Sequence, residues 1–312
     1  MCSELGGVDV SSTGGFSLLG QFVKGAKSGD SLEPVLTRSF SQVDVFTDTP
    51  YRGNPLAVVL DAEGLSANQM QHFANWTNLS ETTFLLPPSD PAADYRVRIF
   101  TGSEEFPFAG HPTLGSAHAW LEAGGVPKHG DVLVQECGAG LVKVKLDGGR
   151  LAFAAPPLER FAPVDTATME QLAAGLRLPT TALLDVSWLV NGPRWIGVLL
   201  ESAEQVLGLK PDPASMGDLE VGVIGPHEPG VGVDFEVRTF IPGDAMVEDP
   251  VTGSFNAGAA QWLIGSGRAP RQYVAAQGTV LGRAGRVHVK AEGGDIWVGG
   301  GVVTCIHGTV RL

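Results

Sequence analysis

The feature that most constrains this chain is a motif that occurs twice. Arg98-Ile-Phe100, a polar loop and Gly110-His111-Pro112-Thr113-Leu114-Gly115-Ser116 lead into a stretch of small residues ending at Trp120-Leu121. Later, Arg238-Thr-Phe240, another polar loop and Glu248-Asp249-Pro250-Val251-Thr252-Gly253-Ser254 lead into a second such stretch, ending at Trp262-Leu263. His111 and Asp249 are 138 positions apart, as are Pro112 and Pro250, Gly115 and Gly253, and Ser116 and Ser254. This period is too long for a solenoid. It implies one fold unit of about 140 residues used twice, its copies facing each other.

The flanking patterns say what the unit is made of. Val43, Val45, Leu56, Val58 and Leu60 alternate as strand residues do, with Arg52-Gly53-Asn54-Pro55 as the turn between them. Ser66 and Gln69 form a capping box that opens a helix with Met70, Phe73 and Ala74 on its inner face. Thr82 to Leu86 reads as a short strand closed by Pro87-Pro88, and Tyr95 to Phe100 as another. Many short strands with few helices predict an α+β chain on antiparallel or mixed sheets, not a doubly wound sheet. Residues 1–38 are rich in Gly and Ser and read as a poorly ordered extension, or as a short surface helix around Phe16 to Val23. No window holds 18 consecutive apolar residues, and Met1-Cys2-Ser3-Glu4 lacks the basic start and apolar run of a secretory signal.

The spacing predicts Pro112 and Pro250 as first helical residues, with His111 and Asp249 at the N-cap positions. Small residues after them would leave backbone N–H groups open at the positive end of each helix, suited to a carboxylate or a developing enolate. An Asp-Pro at a helix start is by itself commonly just a cap, and a lone histidine is commonly structural. Repetition at matched positions makes both candidates for a site. A third candidate is Glu81, placed where a loop enters an apolar strand beside Ser80, Thr82 and Thr83. A half-buried carboxylate there would have the raised pKa that acid–base work at neutral pH needs.

With 34 acids against 21 bases the chain carries a net charge of −13, which argues against nucleic acid and anionic membrane as partners and leaves room for a small anionic metabolite in a local pocket. Cys2, Cys137 and Cys305 form neither a disulfide framework nor a metal cluster, so a reduced, cytoplasmic setting is expected. His72, His118, His129, His227, His288 and His307 show no ligand spacing, and no metal is predicted. Nucleotide-binding and nucleophile-elbow motifs are absent, so proton transfer without a cofactor is the natural chemistry. The 42 glycines are read as strand turns, among them Gly148-Gly149 and Gly299-Gly300-Gly301, and as the two open helix starts.

Val43-Asp-Val-Phe-Thr47, Gly53-Asn54-Pro55, Asn78-Leu-Ser-Glu-Thr-Thr-Phe84, Phe108-Ala-Gly-His-Pro-Thr-Leu-Gly115 and Glu248-Asp-Pro-Val-Thr-Gly-Ser254 together resemble the PhzF family of phenazine-biosynthesis-like isomerases. The resemblance runs from about Arg38 to Leu312. It implies the diaminopimelate-epimerase-like fold: two pseudo-symmetric lobes, each a strongly curved sheet wrapped around a central helix, with the site between them. The lobes are expected at residues 39–128 plus 299–312 and at 129–298. Carried over by motif, the resemblance implies Glu81 as the acid/base, with His111, Asp249 and Ser254 orienting substrate and assisting proton movement. Gly110 and Gly253 would bind a substrate carboxylate through their backbone, and Ser80 and Asn54 complete the implied substrate-binding set. No cofactor and a homodimer are implied.

Relatives of the same fold that work with a thiol pair would need cysteines at the two helix starts, where this chain has His111 and Asp249. The chain departs from the family pattern in the loop Thr101 to Phe106 and at Phe255 and Asn256, all expected beside the pocket. The leading reading is a cofactor-independent isomerase acting on a small carboxylate. The alternatives are an epimerase or racemase of an amino-acid-like acid, and a catalytically idle metabolite-binding protein.

Overall fold

The computed structural model describes residues 36–241 and 247–312. The extension predicted at residues 1–38 lies outside the described residues apart from its last three, of which Thr37 and Arg38 already belong to the first strand. The first half comprises β1 (Thr37–Val45), β2 (Asn54–Val59), α1 (Ala67–Thr77), β3 (Thr82–Leu86), β4 (Tyr95–Phe100), β5 (Glu105–Phe106), α2 (Gly110–Glu122), β6 (Val132–Cys137), β7 (Gly140–Asp147) and β8 (Arg150–Ala154). The second begins with β9 (Arg160–Pro163), α3 (Thr166–Leu176), β10 (Asp185–Val190), β11 (Arg194–Leu199), α4 (Ala203–Gly208), α5 (Pro213–Met216) and β12 (Val221–Pro226). It continues with β13 (Phe235–Ile241), β14 (Val247–Asp249), α6 (Gly253–Gly265), β15 (Gln272–Gln277), β16 (Gly285–Glu292), β17 (Asp295–Gly300) and β18 (Val302–Arg311).

The duplication is written into the pairing. β1–β2 is antiparallel, β2–β3 parallel, β3–β4 antiparallel, β4–β6 parallel, and β6–β7–β8 antiparallel. The second half repeats these senses through β10–β11, β11–β12, β12–β13, β13–β15 and β15–β16–β17. Each parallel pair needs a crossover: α1 lies between β2 and β3 and α4 and α5 between β11 and β12, while α2 lies between β4 and β6 and α6 between β13 and β15 at the equivalent step of each half. The halves join where β8 pairs antiparallel with β17; β9 pairs with β10 within the second half, and β18 crosses back to pair with β1 of the first. Of residues 132–154, expected in the second lobe, β6 pairs with β4 and continues through β7 to β8, so the first half runs on past residue 128 to β8.

α2 is contacted by β1, β2, β3, β6, β7, β8 and β18, so the sheet wraps it. Gly110 to Ala117 of α2 and Gly253 to Ala260 of α6 are buried at every position, as in a helix enclosed on all sides, with mostly small side chains between the larger Leu114 and Phe255. The predicted capping box closes α1: Ser66 Oγ accepts from the Gln69 amide, and Gln69 Oε1 accepts from the Ser66 amide. Gly148 and Gly149 do form a turn, with φ of 58° and 85°. Gly299 to Gly301 do not. They run from β17 into the crossing to β18, where an added Cβ would meet the Leu151 carbonyl, Phe46 and Asp48 respectively at 2.3, 2.8 and 2.0 Å. These glycines let one half pass tightly against the other. Among the described residues no helix is long and apolar enough to cross a membrane.

Candidate active site

The two central helices meet start to start. A Cβ built on Gly110 would lie 2.7 Å from Phe153 and 3.0 Å from the Gly253 Cα, and one on Gly253 would lie 3.2 Å from the His111 amide nitrogen. Neither position has room for a side chain. The first helical bonds are Thr113 N–H to the Ala109 carbonyl and Asn256 N–H to the Thr252 carbonyl. The amides ahead of them, including those of His111, Gly253 and Ser254, have no intrahelical acceptor and lie at the positive ends of the helix dipoles.

The register differs from the sequence expectation. The N-caps are Ala109 and Thr252, not His111 and Asp249. Asp249 ends β14, paired with Thr239, and Pro250 to Thr252 make the turn into the helix. Pro112 is the third residue of α2, and Pro250 lies outside α6. The helix starts are 143 residues apart rather than 138, so the residue equivalent to His111 is Ser254, each being second in its helix.

Glu81 sits immediately before β3, its side chain 14% exposed, with Oε2 3.5 Å from His111 Nε2. Neither of these buried atoms has a hydrogen-bond partner. The separation is that of an ion pair, but burial argues against charge on either group. Desolvation, then the nearby Asp249 charge, push Glu81 up to about 8, and desolvation pulls His111 down to about 3 despite the Pro55 carbonyl beside it. We read the contact as one between two neutral groups at pH 7.

Asp249 is also buried. Its Oδ1 accepts from Asn54 Nδ2 at 3.0 Å and its Oδ2 from Thr252 Oγ1 at 2.5 Å. Desolvation raises it to about 6, with the two hydrogen bonds opposing. Ser254 Oγ accepts from Trp195 Nε1 at 3.0 Å, and its carbonyl accepts from Asn191 Nδ2 at 2.8 Å. The structure therefore gathers Glu81, His111, Asp249, Asn54, Gly110 and Gly253, with Ser254 at the start of the facing helix. Ser80 is exposed beside Glu81.

Phe255 and Asn256 turn out to be fully buried rather than pocket-lining. Phe255 occupies space that a Cβ on Gly222 would invade at 2.0 Å, and Asn256 donates to the Thr252 carbonyl and to Gln277. Trp195, Thr252 and Gln277 were not singled out from sequence. Thr252 lies inside the second motif, but Trp195 and Gln277 come from strands that carry no motif. A cavity of about 550 Å³ bordered by Lys145, Arg150, Lys290 and Trp297 is lined by none of the candidate site residues. Among the described residues no cluster of His, Cys, Asp and Glu is arranged to hold a metal ion.

Residues 43–308 match the family described as Phenazine biosynthesis-like protein. The chain is 38% identical to antisense-enhancing sequence 1 of Schizosaccharomyces pombe over 86% of its own length and 97% of that protein. It is 36% identical to the trans-2,3-dihydro-3-hydroxyanthranilate isomerase of Pseudomonas aeruginosa, covering 80% of the chain and 89% of the relative. In three dimensions it is similar to the crystal structure of a phenazine biosynthesis protein of the PhzF family from Enterococcus faecalis, with a TM-score of 0.73 and 25% identity over 89% of this chain and all of that one (100%). Match, relatives, duplicated topology and facing helix starts agree: this chain belongs to the phenazine biosynthesis-like protein family.

Proposed function

We propose that the protein is an isomerase that moves a proton within a small carboxylate-bearing metabolite, with Glu81 as the acid–base group. The observation that carries this reading is the buried Glu81 carboxyl with an unpartnered oxygen, at the junction of two helix starts and within the field of Asp249. Between pH about 6 and about 8 the two carboxyls hold one proton, mainly on Glu81. One group can then donate while the other accepts. The substrate gains a proton at one atom and loses one at another, with no net uptake. Free amides at the helix starts would hold the substrate carboxylate and stabilise charge that develops next to it. The neutral His111 ring would orient the substrate without competing for the proton. The name of the Pseudomonas relative supports the isomerase class.

The test is incubation of the purified chain in D₂O with trans-2,3-dihydro-3-hydroxyanthranilate and a panel of small unsaturated or amino-acid-like carboxylates, read by NMR. Product with one deuterium and a shifted double bond, lost in Glu81→Gln, supports the proposal. Exchange with inversion at a stereocentre and no shift selects the epimerase reading, which the presence of two carboxyls, one from each half, also accommodates. Turnover indifferent to Glu81→Gln removes Glu81 from the mechanism.

A further inference from the structure

The hydrogen bonds around Asp249 fix the orientation of one buried amide, that of Gln277. The Thr252 amide can only donate, and its 3.1 Å contact fixes Gln277 Oε1 as an acceptor. Asn256 Nδ2, which donates to the Thr252 carbonyl at 2.9 Å, also donates to that Gln277 oxygen at 2.9 Å. The Gln277 amino group must therefore face the other way, toward Thr239 Oγ1 and Thr252 Oγ1 at 3.0 Å each and the Asp249 carbonyl at 3.2 Å. Thr239 Oγ1 lies 2.6 Å from Thr252 Oγ1. Gln277 fills one lone pair of the Thr252 hydroxyl; when Thr239 donates in the 2.6 Å contact, the single proton of Thr252 goes to Asp249 Oδ2 at 2.5 Å. Asn54 Nδ2, oriented by the Val251 carbonyl at 3.0 Å, covers Asp249 Oδ1. In that arrangement both Asp249 oxygens accept hydrogen bonds, which suits the carboxylate.

The first half holds a simpler version of this device. Gln135 on β6 donates to Thr113 Oγ1 at 3.0 Å and accepts from the Tyr95 hydroxyl at 3.0 Å. Thr113 is the fourth residue of α2, as Asn256 is of α6. Each half thus ties the fourth residue of its central helix to a buried glutamine on the next strand. Only in the second half does the network run on to a carboxylate.

We propose that Gln277 is a positioning residue that, through Thr252, holds Asp249 as the carboxylate and leaves the shared proton on Glu81. This rests on the reading of Glu81 and Asp249 as the acid–base pair. Glu81 and the neutral His111 are the titratable groups at the site with Asp249. Arg238 is engaged by Glu248 at 2.7 Å, while Arg52 bonds the Gly282 carbonyl and Arg283 those of Tyr51 and Gly53. Among the described residues Asp249 makes no salt bridge, so the hydroxyl and amide donors are what favour its charge.

The experiment is a carboxyl titration of the substrate-free full chain by ¹³C NMR, with Asp249 assigned by its loss in Asp249→Asn, for wild type, Gln277→Met and Gln135→Met. Gln277→Met should move the Asp249 ionisation upward by about one pH unit, the effect of removing a hydrogen bond that favours the charged form. Gln135→Met should lower the melting temperature and leave that ionisation in place. If Gln277→Met does not fold, Thr252→Val against Thr252→Ser makes the same comparison, only the valine shifting the ionisation. Equal ionisations in the glutamine variants, or in the threonine variants, would overturn the positioning role while leaving the acid–base pair standing. A wild-type chain in which Glu81 titrates as an ordinary carboxyl would contradict the pair itself, and the proposal with it.

Discussion

Glu81 Oε2 stands 3.5 Å from His111 Nε2 across the start of α2, and neither atom has another polar partner. In water such a pair would share a charge. Here burial removes it from both, and the result is a carboxylic acid beside a neutral imidazole at physiological pH. That arrangement holds a proton on a buried carboxyl beside the start of α2.

Replacing Glu81 by Gln should lower kcat by roughly 10²- to 10⁴-fold, the usual contribution of a positioned acid–base group. It should also stabilise the fold at alkaline pH. Glu81 ionises at about 8 in the folded state against 4.5 unfolded, so its burial costs stability increasingly as pH rises from 4.5 to about 8. Gln carries no such cost. Denaturant unfolding at pH 8 should show Glu81→Gln more stable than wild type by on the order of a few kcal/mol, and little difference at pH 4.5.

Activity should follow a bell, rising through about pH 6 as Asp249 ionises and falling through about pH 8 as Glu81 loses its proton. His111 contributes no limb in this range, because its ionisation lies at about 3. In Glu81→Asp the upper limb should move, since the shorter side chain changes the carboxyl's burial and its distance from Asp249. A kcat/KM profile measured from pH 5 to 9, which reports the ionisations of the free enzyme, decides.

Gly110→Ala should damage both stability and activity. The new methyl would press on the buried Phe153 ring at 2.7 Å and on the Gly253 Cα at 3.0 Å, wedging the two helix starts apart. Overpacking of this kind costs roughly 1–3 kcal/mol. Ala at Gly64, whose position is open but whose φ is 83°, tests backbone strain without steric contact. Thermal melts and kcat/KM for both variants separate the two effects.

Trp195→Phe should remove the Nε1–H donor from Ser254 Oγ while keeping most of the edge-on contact with Phe255. A loss of about 1 kcal/mol in stability is expected for a buried hydrogen bond of this kind. The freed serine hydroxyl should change KM more than kcat if Ser254 orients substrate, which steady-state kinetics can read.

Much of the architecture was legible in the chain. The strands at Thr82 to Leu86 and Tyr95 to Phe100, the Ser66 capping box and the duplication all follow from local patterns. The helix register was not, because the repeated Pro and Gly spacing matches residues that serve different ends: Pro112 lies within α2, whereas Pro250 belongs to the turn before α6. The motifs single out Glu81, His111 and Asp249, which the fold brings together. Gln277 and Trp195 are not marked in this way, since a lone Gln or Trp on a strand looks like any other core residue until the pairing of strands sets it against the site. The Gly299 to Gly301 run was read as a turn because sequence cannot distinguish a glycine that bends the chain from one that admits a neighbour.

The central claim is that Glu81 carries a proton at neutral pH while Asp249 does not. Difference infrared spectra of wild type against Glu81→Gln, in the carboxylic-acid carbonyl region and across pH 5 to 9, measure this without needing the substrate. A protonated-carboxyl band assigned to Glu81 at pH 7, fading through about pH 8, is the predicted result. A Glu81 that is already ionised at pH 7 would contradict the account.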